Sequence, residues 1–140
     1  MSEQNKTLTR RFYDEVFNKK NFTAIDELCA PGFVDHNAAP GQAPGVQGLK
    51  DWCRQFLQAF PDLQATVHEM IAEGDFVVAR ITCQGTHTGA FMGAAPTGRT
   101  VTFSGLDMVR IKGGRATDVW HEGNDAVVMM ELGARMTVAS

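Results

Sequence analysis

No two cysteines in this chain stand at C-x-x-C spacing, and their number is odd: Cys29, Cys53 and Cys83. That disfavours a disulfide framework and a zinc site, and reduced thiols in a cytoplasm are expected. No block of Lys or Arg occurs, net charge is -3 and pI is about 5.7, so nucleic acid and membrane surfaces are poor partners. No stretch approaches the roughly 20 apolar residues of a membrane span. The opening MSEQNKTLTRRF is polar and lacks the apolar run of a signal peptide. His36, His68, His87 and His121 form no H-x-H or H-x3-H pair, so no metal is expected. G-x-S-x-G, phosphate-loop and dinucleotide motifs are absent. What is present is a chain of 140 residues that is 44% hydrophobic, enough for one domain over residues 1–140 with one core and a modest cavity.

The periodicity predicts helices first. Leu8, Phe12 and Val16, widened by Tyr13 and Phe17, mark a helix from Lys6 to Asn18. A short helix from about Phe22 to Cys29 is expected to end at Pro31-Gly32. Phe33 to His36 is at most a small strand. The Pro/Gly/Ala-rich run from Asn37 to Val46 is a loop, either a lid or a solvated connector. Leu49 to Phe60 has the widest apolar face of any helix here. Strands are then expected at Gln64 to Ala72, Phe76 to Gln84, Thr100 to Lys112 and Arg115 to Glu122. A glycine-rich excursion, Gly85 to Gly98, interrupts them. A short helix over Asp125 to Leu132 and a frayed tail from Gly133 close the chain. Helices followed by an antiparallel run give an α+β fold, a curved sheet with helices across its concave face. Such a cone has an open end suited to a ligand.

Two polar residues interrupt the apolar parity of the last strands. Asp107 shares a face with Phe103, Val109 and Ile111, where a carboxyl group is costly unless it is paired or kept protonated. It is a functional acid or a structurally bonded one. His121 shares a face with Val119. A two-residue Gly113-Gly114 loop sets Asp107 beside Trp120 and sends His121 to the other face. A three-residue loop sets Asp107 diagonal to His121. Turn chemistry leaves both open.

The segments GTHTGAFMGAAPTGRTVTFSG, DMVRIKGGRATDVWHEGND and RRFYDEVFNKKNFTAIDELCAPGFVDHN resemble the SnoaL-like polyketide cyclase (ester cyclase) family. The resemblance implies a cone-shaped α+β barrel of the nuclear-transport-factor-2-like, cystatin-like type. It also implies an apolar pocket, no cofactor, a small apolar molecule as partner and assembly as a homodimer or tetramer. In that family an acidic residue on the last strand performs acid/base catalysis of an aldol ring closure, with a histidine on the preceding strand. His121 holds the acid's place here and Asp107 the histidine's; Val119 holds that of a second histidine, and a family asparagine falls at Asp35 or His36. Asp107 also resembles the buried acid of ketosteroid isomerases. The expectation is therefore cofactor-free acid/base chemistry next to a carbonyl, with His121 as general base at an ordinary pKa near 6.5 and Asp107 orienting it or stabilising an enolate. Asp35, His36, His87, Tyr13, Trp52, Phe91 and Val119 are expected to bind substrate. The alternative is a non-catalytic small-molecule-binding or dimerisation module on the same fold. Water addition to an epoxide ranks below both, because Arg110 lies on the wrong parity.

Overall fold

The computed structural model describes residues 2–133, so the expected tail lies, beyond Gly133, outside the described residues. Helix α1 spans Ser2–Phe12 and widens into a π-helical turn, Tyr13–Asn18, where the Lys19 amide reaches back to the Asp14 carbonyl at 2.9 Å. Single π turns tend to sit at functional sites; this one begins at Tyr13, which bonds to Asp107. Helix α2 (Ala24–Leu28) is shorter than its pattern suggests, because the chain turns extended at Cys29.

Strand β1 runs Cys29–Asp35, so Pro31-Gly32 lies inside a strand rather than ending a helix. Position explains it. The sheet order is β1-β5-β4-β3-β2, with β1 at an edge, where a proline without an amide hydrogen removes no necessary ladder bond. Strand β1 also runs parallel to β5 (Arg115–Gly123), so the sheet is mixed rather than wholly antiparallel. Helix α3 (Gly45–Ala59) follows the loop and buries Leu49, Cys53, Phe56 and Leu57 along one stripe. Strands β2 (Gln64–Glu73), β3 (Phe76–Thr86) and β4 (Thr100–Lys112) form an antiparallel meander with β5, and α4 (Asp125–Glu131) follows.

Alternation puts Val77, Ala79, Ile81 and Cys83 of β3 on the inner face with Phe103 and Ile111 of β4. The register slips by one residue at His68 in β2 and again at Thr117 in β5. Bulges of this kind increase twist and bend a strand. The sheet curves round α1 and α3, which pack on its hollow side in two apolar clusters. No described helix is long and apolar enough to cross a membrane.

Candidate active site

The β4–β5 hairpin closes with Gly113 and Gly114, both at positive φ (60° and 78°), as the two-residue turn with mirror-image backbone requires. Lys112 therefore faces Arg115 and Ile111 faces Ala116. Continued unbroken, that register would set Asp107 against Trp120. Thr117 is the extra residue. Past it Arg110 faces Asp118, and Asp107 faces His121 directly. Neither register expected from the turn alone is the observed one: a two-residue turn plus a bulge does what an odd loop would have done, and more directly.

His121 is held from four sides. Its Nδ1–H donates to Asp107 Oδ1, and its Nε2 lies 3.2 Å and 3.1 Å from the two carboxylate oxygens of Asp125. Its backbone N–H donates to Asn37 Oδ1 at 2.7 Å, so a side chain continues the ladder where β1 ends. The ring lies over the facing pair Gly105 and Gly123. A Cβ on Gly105 would stand 2.7 Å from the ring's Cε1, and one on Gly123 would stand 3.0 Å from Nε2. Only glycine leaves room for the imidazole there. The other Asp107 oxygen accepts from the Tyr13 hydroxyl, which makes a chain Tyr13–Asp107–His121–Asp125.

Electrostatics follow from that chain. The Asp107 hydrogen bond, then that of Asp125, raises His121 to a pKa of about 10 against the opposing effect of burial, so the ring is an imidazolium at neutral pH. This replaces the expected ordinary value near 6.5. Tyr13 is pushed up by burial first and by the Asp107 charge second, so it remains a neutral donor. Burial likewise holds the Cys29 and Cys83 thiols up at about 12.

Asp107 and His121 open on a cavity of about 660 Å³ between the sheet, α1 and α3. Tyr13, Asp35, Trp52, Phe91 and Val119 line it. The opposite wall is aromatic: Trp52 stacks on Phe56 at 5.9 Å, and Phe91 packs on both. Two expected ligand residues are elsewhere. His36 sits on the outer face of the sheet, its ring parallel to Trp120 at 4.3 Å and its Nε2 2.8 Å from Asp118 Oδ2. The parity of β1 sends Asp35 inward and therefore its neighbour outward. His87 is fully buried behind the cavity wall, against Phe60. Its Nδ1 accepts from the Thr97 amide at 3.3 Å, while its Nε2 has no hydrogen-bond partner among the described residues. Its role is to pin the ends of the glycine-rich excursion, with Arg99 and Gly98 bonding its backbone at 2.8 Å and 2.9 Å.

Sequence reasoning missed Asp125, Asn37 and the Gly105–Gly123 pair. The signal for Asp125 was present: it stands four residues after His121, across a strand-to-helix junction that folds it back onto the ring.

Residues 7–132 match the model of the SnoaL-like polyketide cyclase family. No curated protein matches the chain. Among solved structures, TsrD from Streptomyces laurentii superposes with a TM-score of 0.84 at 25% identity, over 95% of this chain and 97% of that one. IdmH from Streptomyces antibioticus, described provisionally as a polyketide cyclase, is 32% identical with a TM-score of 0.78, over 94% of this chain and 99% of its own. AclR from Streptomyces galilaeus, described provisionally as a hydroxylase, is 28% identical with a TM-score of 0.82, over 95% and 98%.

Proposed function

We propose that this chain, which belongs to the SnoaL-like polyketide cyclase family, closes a ring by aldol-type carbon–carbon bond formation on a small, largely apolar carbonyl compound. The observation that carries the reading is an imidazolium clamped between two carboxylates on the wall of an apolar cavity. One of those carboxylates, Asp125, is a half-exposed side chain at the cavity edge and serves as the base. It takes the proton from the carbon next to a carbonyl, and the enolate so formed attacks a second carbonyl of the same molecule. The alkoxide that develops takes the Nε2 proton of His121. Asp125 then returns its proton to the neutral imidazole across the 3.1 Å contact. One C–H bond breaks, one C–C and one O–H bond form, and the protein ends as it began.

Asp107 is a positioning group in this scheme. It fixes the ring through Nδ1, keeps Nε2 aimed at the cavity and favours the charged form, while Tyr13 holds its second oxygen. Preorganised donors of this kind typically supply factors of about 10²–10³, and proton transfer about 10²–10⁴.

The test uses 1-tetralone, a neutral aromatic ketone with an exchangeable α-CH₂, in deuterated buffer. The wild-type chain is expected to accelerate loss of the α-proton NMR signal. Asp125→Asn and His121→Ala are each expected to lower the acceleration by about 10²–10⁴. Wild-type exchange rates in both variants would overturn the assignment.

A further inference from the structure

Helix α1 runs out through strained backbone. The π turn Tyr13–Asn18 interrupts its winding, and two residues further on Lys20 stands at φ 58°, in the left-handed region that side chains rarely adopt. Such conformations persist where surrounding contacts over-determine them. Those contacts stand at the two ends of the turn. At its start the Tyr13 hydroxyl donates to Asp107 of β4. At its end the Asn18 side chain meets both backbone groups of Ala65 in β2: Oδ1 accepts from the Ala65 N–H at 2.7 Å, and Nδ2 donates to the Ala65 carbonyl at 3.1 Å. Strand β2 is an edge of the sheet, so this one amide stands where a further strand would.

In α-helical winding, side chains five residues apart point about 140° away from each other. Tyr13 and Asn18 would then not face the sheet together. The π turn, whose bonds are one residue longer, closes most of that angle. It lets one helix end hold β4 by a phenol and β2 by an amide at once. Phe17, one residue before Asn18, stacks on the Tyr13 ring at 6.1 Å, so the turned face packs as one piece. Asn18 itself is not among the residues that line the cavity, so its effect on the site passes through Tyr13.

We infer that Asn18 is a positioning residue for the Asp107–His121 pair: by fastening the π turn to β2 it keeps the winding that aims Tyr13 at Asp107. The inference rests on the reading of that pair as the reacting one, and it adds to the site a residue bonded to the far edge of the sheet. Two bonds linked through one conformational element support each other equally. Loss of the Asn18 anchor lets the turn rewind and draws the phenol off Asp107. Loss of the phenol anchor loosens the amide from Ala65.

The chain has a single tyrosine, so a carbon-13 label on tyrosine Cζ gives one NMR signal, that of Tyr13. In Asn18→Ala that signal is expected to move toward the position of a free phenol. Exchange of 1-tetralone is expected to fall by about tenfold to a hundredfold, the scale of a small misplacement caused by a remote substitution. Tyr13→Phe is read at the other anchor and keeps the test open where Asn18→Ala does not fold. In it, hydrogen exchange at the Ala65 amide is expected to quicken by about fivefold or more relative to that of Thr66, its neighbour paired with β3. An unmoved Tyr13 signal in folded Asn18→Ala overturns the inference and leaves Asn18 a clamp on the sheet edge. So does a moved signal with a wild-type exchange rate, and so does an Ala65 amide that quickens no more than Thr66. The two NMR readings need no turnover. A wild-type chain that fails to exchange 1-tetralone therefore sinks the ring-closure reading, while the coupling of the two anchors stands or falls on Tyr13 and Ala65.

Discussion

Strand β5 carries two histidine–aspartate pairs, one on each face, and they have opposite fates. Inside, His121 meets Asp107 of β4, with Tyr13 beyond one partner and Asp125 beyond the other. Outside, Asp118 meets His36, whose ring lies flat on Trp120 and whose side chain is 36% exposed. The same two side-chain types at hydrogen-bond distance make a bonded chain that opens on the cavity in one place and a partly exposed surface pair in the other. The difference lies in what stands behind each pair. The inner ring has a glycine floor, a second carboxylate and an apolar chamber. The outer ring has water and an indole. A histidine–aspartate pair is thus a poor marker of chemistry, and a cavity wall that completes it is a good one.

The largest effect that separates the two pairs is kinetic. His121→Ala should cut exchange of 1-tetralone by about 10²–10⁴, whereas His36→Ala should leave it within about a factor of two. Loss of rate in both variants would dissolve the distinction. Next comes the bulge that assigns the faces. One alanine inserted between Asp118 and Val119 undoes the shift that the Thr117 bulge makes, and points Trp120, rather than His121, at Asp107. Burying an indole over Gly105 while stranding Asp107 should cost more than about 4 kcal/mol, read as a collapse of the urea midpoint. An insertion variant of native stability would show that the strand slips back elsewhere.

Much of this architecture was legible in residues. Val77-Ala79-Ile81-Cys83 and Phe103-Asp107-Val109-Ile111 alternate cleanly, and they place the inner face of the two central strands correctly. The aromatic stripe of α3 is as plain. Legibility ended where a local event decided a distant contact. Nothing in R-A-T-D-V-W distinguishes Thr117 as the residue left out of the ladder, yet its omission decides which face His121 takes. His36 and Asp35 differ by one position, and only pairing with β5 settles which faces inward. Asp125 escaped notice because it opens a helix, where an acid reads first as an ordinary first-turn residue. His87, expected to bind substrate, serves the backbone of its own glycine-rich bend instead.

The inner pair should also betray itself by titration. With two carboxylates on its ring, His121 should show its imidazole NMR shifts moving near pH 10 rather than 6.5. Asp107→Asn removes the larger of the two causes and should bring that midpoint down by more than Asp125→Asn does. The folded value lies above the unfolded one, so the associated stability is fully present below about pH 6.5 and is lost as pH climbs through about 10. Thermal midpoints across that window should fall in the wild type and flatten in His121→Ala. A wild-type curve as flat as that of the variant would mean the ring is neutral and the base assignment belongs to it after all.

The outer pair should respond least, and in the opposite direction of pH. Asp118 is held below its ordinary value by its hydrogen bond to His36 first and that of Thr117 second. Its contribution is therefore present above the unfolded carboxylate value near 3.9 and fades as the solution is acidified past it. Partly exposed pairs of this kind are worth within about 1 kcal/mol, and salt weakens them further. Asp118→Asn should lower the urea midpoint by an amount that fits inside that bound and shrinks in 1 M salt. It should leave 1-tetralone exchange untouched, because the sheet itself stands between Asp118 and the cavity. A drop in exchange on this substitution would mean that the two faces of β5 communicate, most simply through the Thr117 bulge whose hydroxyl bonds Asp118 at 2.7 Å.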